Sequence, residues 1–225
     1  MTTTAPSYTS PTPSSLFDFV PEAQWDQELL NQLSFFPGLQ DLLTIRQVHA
    51  LEHATVWVLS EVARNGGISI NPDALGGMST ESGFYLYGYK LGDTTPLRQA
   101  VQTALSRLTQ GEWNLAVHPR CGTNLSVGML LTGGLALGIN FLLPKSPIEQ
   151  LLGIGLAATA ATQLAPELGS MTQRYLTTAI PFNLKVDKIL VKPDMWGRSA
   201  HFVQVHWIAN ATKLKQVIAP KTPIQ

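Results

Sequence analysis

Two short segments of the sequence carry most of the histidine and cysteine side chains, which are common metal ligands. The first, His49-Ala-Leu-Glu52-His53, spaces its polar residues at offsets of 0, 3 and 4. In a helix these offsets bring the three side chains onto one face, about 5–6 Å apart at Cβ. Two imidazoles could then bind one ion, with the carboxylate as third ligand, anchor or general base. The order is that of the inverted zinc-peptidase motif, H-x-x-E-H.

Glu52 is the only charged residue between Gln47 and Ser60, where the sequence reads QVHALEHATVWVLS. Apolar residues fall on every face of such a helix, which indicates that the helix is buried. A buried carboxylate needs a hydrogen-bonding or ionic partner, or its pKa rises until the group is neutral. The two histidines or a bound cation would serve as partners. A buried His/Glu cluster without metal is the alternative explanation of the same pattern.

The second segment, His118-Pro-Arg-Cys121-Gly-Thr-Asn124, places a histidine and a cysteine three residues apart on a predicted loop. Such spacing is typical of metal ligands. The alternative is a capping loop, in which proline and glycine turn the chain and the threonine or asparagine caps the following helix. The two segments together hold three of the five histidines and the single cysteine, which favours a shared site.

The sequence also contains two long uncharged runs. The first is the 24 residues between Arg120 and Lys145, whose inner part, residues 125–143, reads LSVGMLLTGGLALGINFLL. The second, residues 150–166, has 17 uncharged residues and follows a short connection with two prolines. Because a helix needs about 20 apolar residues to cross a bilayer, the runs predict a two-helix transmembrane hairpin. Two buried helices of a soluble protein are the alternative.

The number and distribution of charged residues predict which side of a membrane the termini occupy and which partners the protein has. Fourteen of the 15 Lys and Arg residues lie outside the loop between the two runs. By the positive-inside rule, both chain termini are then on the cytoplasmic side or its equivalent. The 15 acidic residues bring the net charge to zero, which excludes the basic footprint of a nucleic-acid-binding protein. The predicted partners are the lipid bilayer and membrane protein complexes.

The remaining sequence predicts the elements that position these motifs, and the fold class is an α+β integral membrane protein. A long helix carries the first motif, and a shorter amphipathic helix follows it. An aromatic segment predicts a strand, and two later segments predict a C-terminal β-hairpin. The predicted helices are Leu39–Arg64 and Asp93–Gln110, and the predicted strands are Phe84–Tyr89, Leu184–Val191 and Ala200–Ala209.

Four regions follow one another along the chain. They are a disordered tail rich in Thr, Ser and Pro (1–15), a cytoplasmic-side helical and αβ region (16–120), the transmembrane hairpin (121–168), and C-terminal strands with a tail (169–225). His201 and His206 lie five residues apart on the last predicted strand, so their side chains face opposite sides of it. We interpret both as ordinary sheet residues.

The segments HALEHATV and HPRCGTN together resemble a family of bacterial membrane proteins that pair an H-x-x-E-H segment with an HPRCGT-like segment beside membrane helices. The resemblance covers about residues 46–169 and is strongest to a cyanobacterial and plastid branch, which has GFYLYG between the motifs, as at residues 83–88. It implies a predicted metal-dependent enzyme in a plasma or thylakoid membrane, with cytoplasmic or stromal termini. It also implies five site positions: His49, Glu52, His53, His118 and Cys121.

The number of protein ligands distinguishes the functions that such a site could have. A thiolate with imidazoles points to zinc, with iron or copper as alternatives. If His49, His53, His118 and Cys121 all bind, the site is closed, as structural zinc sites are. If only three bind, a water of pKa about 7 takes the fourth position, and Glu52 acts as the catalytic base of a peptidase-like hydrolase. A membrane assembly protein without metal is a third hypothesis. We favour the structural or assembly role.

Overall fold

The computed structural model describes residues 22, 24–66, 68–90, 92, 94–142 and 146–209, and the chain divides into two compact units. Residues Val117–Thr177 form the first, here called the helical unit. The chain before and after it, up to Ala116 and from Thr178, forms the second, here called the split unit. The helical unit is therefore an insertion in the sequence of the split unit. The tail predicted at residues 1–15 lies outside the described residues.

The split unit begins with a short helix, α1 (Trp25–Gln32), which the sequence analysis did not identify, and continues with the long helix α2 (Leu39–Arg64). Helix α2 has the predicted bounds. Gly38 precedes it with a φ of +81°, a left-handed conformation that glycine adopts without steric penalty. Every side chain from Gln47 to Ser60 is buried except the half-buried His49. The prediction of a buried helix is thus confirmed.

A four-stranded antiparallel sheet contacts α2. Its strands are β1 (Gly76–Thr80), β2 (Gly83–Tyr87), β3 (Leu184–Pro193) and β4 (Ser199–Trp207), in the spatial order β1-β2-β4-β3. The C-terminal strand pair is confirmed. Strand β2 ends two residues before the predicted Tyr89, because Gly88 adopts a φ of +76° and turns the chain. Strand β1 was not predicted, since its two glycines weaken the strand pattern.

The second predicted helix, α3 (Thr95–Thr109), packs against α2. Pro96 lies in its first turn, where the missing N–H of proline leaves no helical hydrogen bond unmade. The apolar face predicted for α3 is buried through Leu97, Ala100, Val101, Ala104 and Leu108, with Leu105 partly buried. These side chains join α2 and the inner face of the sheet in one apolar core. The fold is therefore α+β, as predicted.

The helical unit consists of α4 (Gly122–Leu142) and α5 (Pro147–Thr172), followed by one π-helical turn, Gln173–Thr177. The helices run antiparallel, because Asn140 donates a hydrogen bond to Gln150 (2.9 Å) while Gly128 lies opposite Ala165. Small residues at four-residue spacing form the buried side of α5: Gly153, Ala157 and Ala161. Such spacing lets two helices approach closely, as in membrane helix pairs.

Both helices of the helical unit are long and apolar enough to cross a membrane. No residue in the apolar window of α4 is buried, and Leu130 and Phe141 are 76% and 86% exposed. Helix α5 extends past the predicted run to Thr172 and passes through Pro166 without ending. Neighbouring groups in a membrane helix pair compensate for the hydrogen bond that an internal proline removes. Two predicted helices are thus present: α4, with 21 residues, lies within its 24-residue uncharged run, and α5, with 26 residues, is longer than its 17-residue run.

Candidate metal centre

Helix α2 brings His49 and His53 together one turn apart. Their ring centroids are 4.3 Å apart, and their ligand nitrogens lie within 4.8 Å of each other. His53 is buried and His49 half-buried, so the pair sits at the edge of the core rather than in open solvent. The predicted juxtaposition of two imidazoles on one helix face is present.

A backbone carbonyl fixes the orientation of the His53 ring. The distance from His53 Nδ1 to the Ala116 carbonyl oxygen is 2.7 Å. Since a carbonyl only accepts, Nδ1 carries the proton and the lone pair of the neutral ring is on Nε2. This arrangement, a ring N–H held by a carbonyl while the other nitrogen keeps its lone pair, is that of metal-binding histidines.

Glu52 is buried on α2 and turns its carboxylate toward β1. The Ser79 hydroxyl donates a hydrogen bond to Glu52 Oε2 at 3.2 Å. A Cβ atom built on Gly77 would lie 2.5 Å from the Glu52 carboxyl carbon, so the absence of a side chain at Gly77 makes room for Glu52. Burial raises the pKa of Glu52 from 4.5 to about 7, while His49 and the Ser79 hydroxyl act in the opposite direction.

In the helical unit, the His118–Cys121 loop leads directly into α4. The Cys121 backbone N–H donates to the His118 carbonyl at 3.1 Å. Cys121 Sγ accepts a hydrogen bond from the backbone N–H of Thr123 at 3.4 Å, so the sulfur sits at the N-terminus of the helix. Helix N-termini stabilise negative charge, and the thiolate is the form of cysteine that binds metals.

His118 is buried and its ring is held in the opposite tautomer from that of His53. Its Nδ1 accepts from the Arg120 backbone N–H at 3.3 Å, which places the ring proton of the neutral form on Nε2. The His118 backbone N–H donates to Gln173 Oε1 at 2.8 Å, and Gln173 Nε2 donates to Asn124 at 2.7 Å. Asn124 also donates to the Pro119 carbonyl at 2.8 Å. The loop therefore caps α4, as the capping interpretation predicts.

Among the described residues, His49 and His53 lie together on α2 and could bind one metal ion, whereas His118 and Cys121 belong to the helical unit. In the sequence, Cys121 follows Ala116 by five residues, and the Ala116 carbonyl is hydrogen-bonded to His53. Five residues span at most about 17 Å.

Helix α2 also forms hydrogen bonds with Ala116 and Thr178, the two residues of the split unit that border the helical unit in the sequence. Ala116 precedes the helical unit and contacts His53. Thr178 follows the helical unit, and its carbonyl accepts from Arg46 Nη2 at 3.1 Å. Arg46, His49 and His53 have offsets of 0, 3 and 7, so they share one side of α2. The histidine pair thus lies on the side of α2 that is hydrogen-bonded to Ala116 and Thr178.

Three partners of the site were not found by sequence analysis: Gly77, Ser79 and the Ala116 carbonyl. A backbone carbonyl leaves no signature in a sequence. The paired glycines at 76 and 77 were the one available signal, because glycine inside a strand often marks the close approach of another group.

Comparisons with known proteins agree with the resemblance of the two motifs. The chain matches, over residues 44–189, a family described as "Domain of unknown function (DUF6391)". An uncharacterized protein of Picosynechococcus sp. is 53% identical over 191 residues, covering 84% of this chain and 92% of that relative. No solved structure matches the chain. The predicted membership of a bacterial and cyanobacterial family is confirmed.

Proposed function

We propose that this chain, which belongs to the DUF6391 family, is an integral membrane protein that binds one zinc ion through His49, His53, His118 and Cys121. The ion has a structural role: it fixes α2 to the loop that begins α4. The observation that carries the proposal is the histidine pair on α2, with ring centroids 4.3 Å apart and His53 oriented by a backbone carbonyl.

The donor set favours zinc. Thiolate sulfur and imidazole nitrogen are the usual ligands of structural zinc, at about 2.3 Å and 2.0–2.1 Å. Ligand nitrogens within 4.8 Å of each other can reach one ion after small side-chain adjustments. His118 is the fourth ligand of this closed site. To bind, its neutral ring must release the Arg120 N–H, because Nδ1 becomes either the ligand atom or the protonated nitrogen.

A metal-dependent hydrolase is the second candidate, and one observation favours it. The pKa of Glu52 is raised by burial to about 7, which is near the optimum for a general base at neutral pH. In this alternative three of the four side chains would hold the ion, which would activate a water, and Glu52 would act as the general base. The hydrogen bond from Ser79 holds the Glu52 carboxylate toward β1, and this favours the structural role instead.

The membrane assignment rests on α4 and α5. A core helix of a soluble protein is mostly buried, whereas the apolar window of α4 has no buried residue and that of α5 only 17%. Exposing such a surface to water is unfavourable by roughly 25 cal/mol for each Å². We infer that the lipid bilayer covers it and that both chain termini lie on one side, cytoplasmic or stromal. Membrane protein complexes are the proposed partners.

Elemental analysis of the full chain in detergent tests the zinc proposal. Wild-type protein should carry one equivalent of zinc, and His49→Ala, His53→Ala and Cys121→Ser should lose it together with thermal stability, because ion binding contributes to folding free energy. His206→Ala is the matched control, since His206 is exposed and pairs with Asp187 at 2.7 Å.

His118→Ala separates the two functions. Loss of zinc indicates the closed, structural site, whereas retained zinc indicates an open position. Full zinc in both His49→Ala and His53→Ala would reject these ligands. Wild-type protein purified without chelator and free of metal would instead support an assembly protein without a metal.

A further inference from the structure

We propose that the turn of the C-terminal β-hairpin, residues 194–198, is an interfacial anchor that inserts Met195 and Trp196 into the headgroup region of an anionic bilayer. The turn joins β3 to β4 at one end of the sheet. Met195 is 75% exposed and Trp196 63% exposed, and the neighbouring strand residue Val191 is 52% exposed. Exposed apolar side chains grouped in this way mark an interaction surface.

Trp196 is exposed on a turn whose backbone is held by several hydrogen bonds. The buried side chain of Asp194 accepts hydrogen bonds from the backbone N–H groups of Trp196 and Arg198, both at 2.9 Å. It also accepts from Arg198 Nε at 2.9 Å and from the Tyr87 hydroxyl at 2.8 Å. Although burial alone would raise the pKa of Asp194, these hydrogen bonds hold it at about 2. The Asp194 carboxylate therefore stays ionised at neutral pH and keeps its hydrogen bonds to the turn. Met195 and Trp196 remain exposed on this turn.

Cations flank the apolar side chains. The Arg198 guanidinium lies over the rings of Tyr87 and Trp196, 4.8 and 4.9 Å from their centroids. Lys192 lies 3.5 Å from the centroid of Phe202. Residues 184–207 hold four Lys or Arg, at 185, 188, 192 and 198, against two Asp, at 187 and 194. The hairpin is thus basic in a chain whose net charge is zero.

This chemistry fits the surface of an anionic bilayer. Tryptophan prefers the membrane–water interface, and each Lys or Arg near an anionic surface contributes about 1 kcal/mol of attraction. The protein is expected to be near a bilayer, since two of its helices are long and apolar enough to cross one. The inference rests on the proposed membrane insertion of those helices.

Quenching by brominated lipid tests the anchor. The full chain is reconstituted into phosphatidylcholine vesicles with brominated acyl chains, with and without about 30% phosphatidylglycerol. Trp196 is one of five tryptophans, so wild type should lose up to about a fifth more emission than Trp196→Phe in the anionic vesicles. Trp25→Phe, which removes a tryptophan that is 40% exposed on α1, should keep the quenching of wild type. Lys192→Glu, which reverses a charge close to the turn, should lower quenching toward that in neutral vesicles.

Two results would overturn the inference. One is equal quenching in wild type and Trp196→Phe, with the protein retained in membranes after alkaline carbonate extraction. That result contradicts the anchor and leaves the transmembrane helices standing, whereas release by carbonate contradicts the proposed membrane insertion itself. The other is an absence of lipid quenching together with photocrosslinks from position 195 to a protein, which would assign the turn to a protein partner.

Discussion

Gly77 of β1 lies so close to Glu52 of α2 that a Cβ atom on the glycine would be 2.5 Å from the Cγ, Cδ and Oε1 atoms of the glutamate. No real side chain tolerates such a distance, so one of the two groups must move when residue 77 gains a methyl group. The contact joins the strand to the helix that carries the histidine pair. It makes Gly77 a positioning residue for the carboxylate.

Gly77→Ala should therefore displace Glu52 and destabilise the protein by about 1–3 kcal/mol, the usual range for overpacking. Gly76→Ala is the matched control, because a Cβ atom there meets nothing within 4 Å. Adding Glu52→Ala to Gly77→Ala removes the clash, so thermal denaturation of the double variant should show less destabilisation than the sum of the single changes. Additive effects would contradict the contact.

Glu52→Gln should distinguish a structural role of the carboxylate from catalysis. The amide keeps the size of the side chain but cannot accept a proton, and it removes the electrostatic interaction with His49. We expect zinc affinity to fall by about 10–100-fold, as it does when groups that support metal ligands are lost. Chelator competition measures this, and the melting temperature of the zinc-loaded protein should fall as well. Full zinc, unchanged melting and a lost cellular phenotype would instead identify Glu52 as a general base.

The topology of the hairpin can be measured by cysteine labelling from either side of the membrane. In a Cys121→Ser background, Thr12→Cys and Thr222→Cys should react from the same side, and Ser146→Cys from the opposite side. The reason is the distribution of Lys and Arg, of which only Lys145 lies in the connection between the helices. Any other pattern of reactivity would reject two spans with both termini on one side.

His201 should make the stability of the protein sensitive to acid. Its side chain is fully buried in β4, and neither ring nitrogen has a hydrogen-bond partner among the described residues. Burial lowers its pKa below 6.5. When the pH falls through 6.5, the unfolded chain binds a proton that the native state excludes, so the free energy of unfolding decreases.

Thermal melts at about pH 8 and about pH 5 check this prediction. His201→Leu should raise the melting temperature, and more so at the lower pH, because leucine neither titrates nor leaves a polar group buried. The control is His206→Leu, on the exposed side of the same strand. Equal pH dependence in wild type and His201→Leu would contradict the prediction.

Local patterns in the sequence were sufficient for most elements. Helix α2 has the predicted bounds because Gly38 and Asn65 flank an apolar segment with helical signals at both ends. His201 and His206 face opposite sides of β4, as their spacing predicts, and His201 is buried while His206 is exposed. Strand β1 was missed because it depends on pairing with β2 rather than on its own residues.

The candidate site was predictable only in part, for a related reason. The helical offset of His49 and His53 is local, so the sequence predicts their proximity. The contacts of Glu52 with Ser79 and of His53 with Ala116 join residues 27 and 63 positions apart. Such contacts follow from the packing of β1 and of the segment after α3 onto α2, which no local pattern encodes.

The order of strands in the sheet constrains the biosynthesis of the protein. Strand β4 lies between β2 and β3, and it follows both apolar helices in the chain. A nascent chain leaves the ribosome from its N-terminus. Phe84 and Leu86 of β2 therefore cannot pair with Val203 and His201 of β4 until α4 and α5 have been synthesised. If the helices enter a membrane during synthesis, they do so before the sheet is complete. Until β4 is made, the edge of β2 that later pairs with it is open, and that edge would need protection from aggregation.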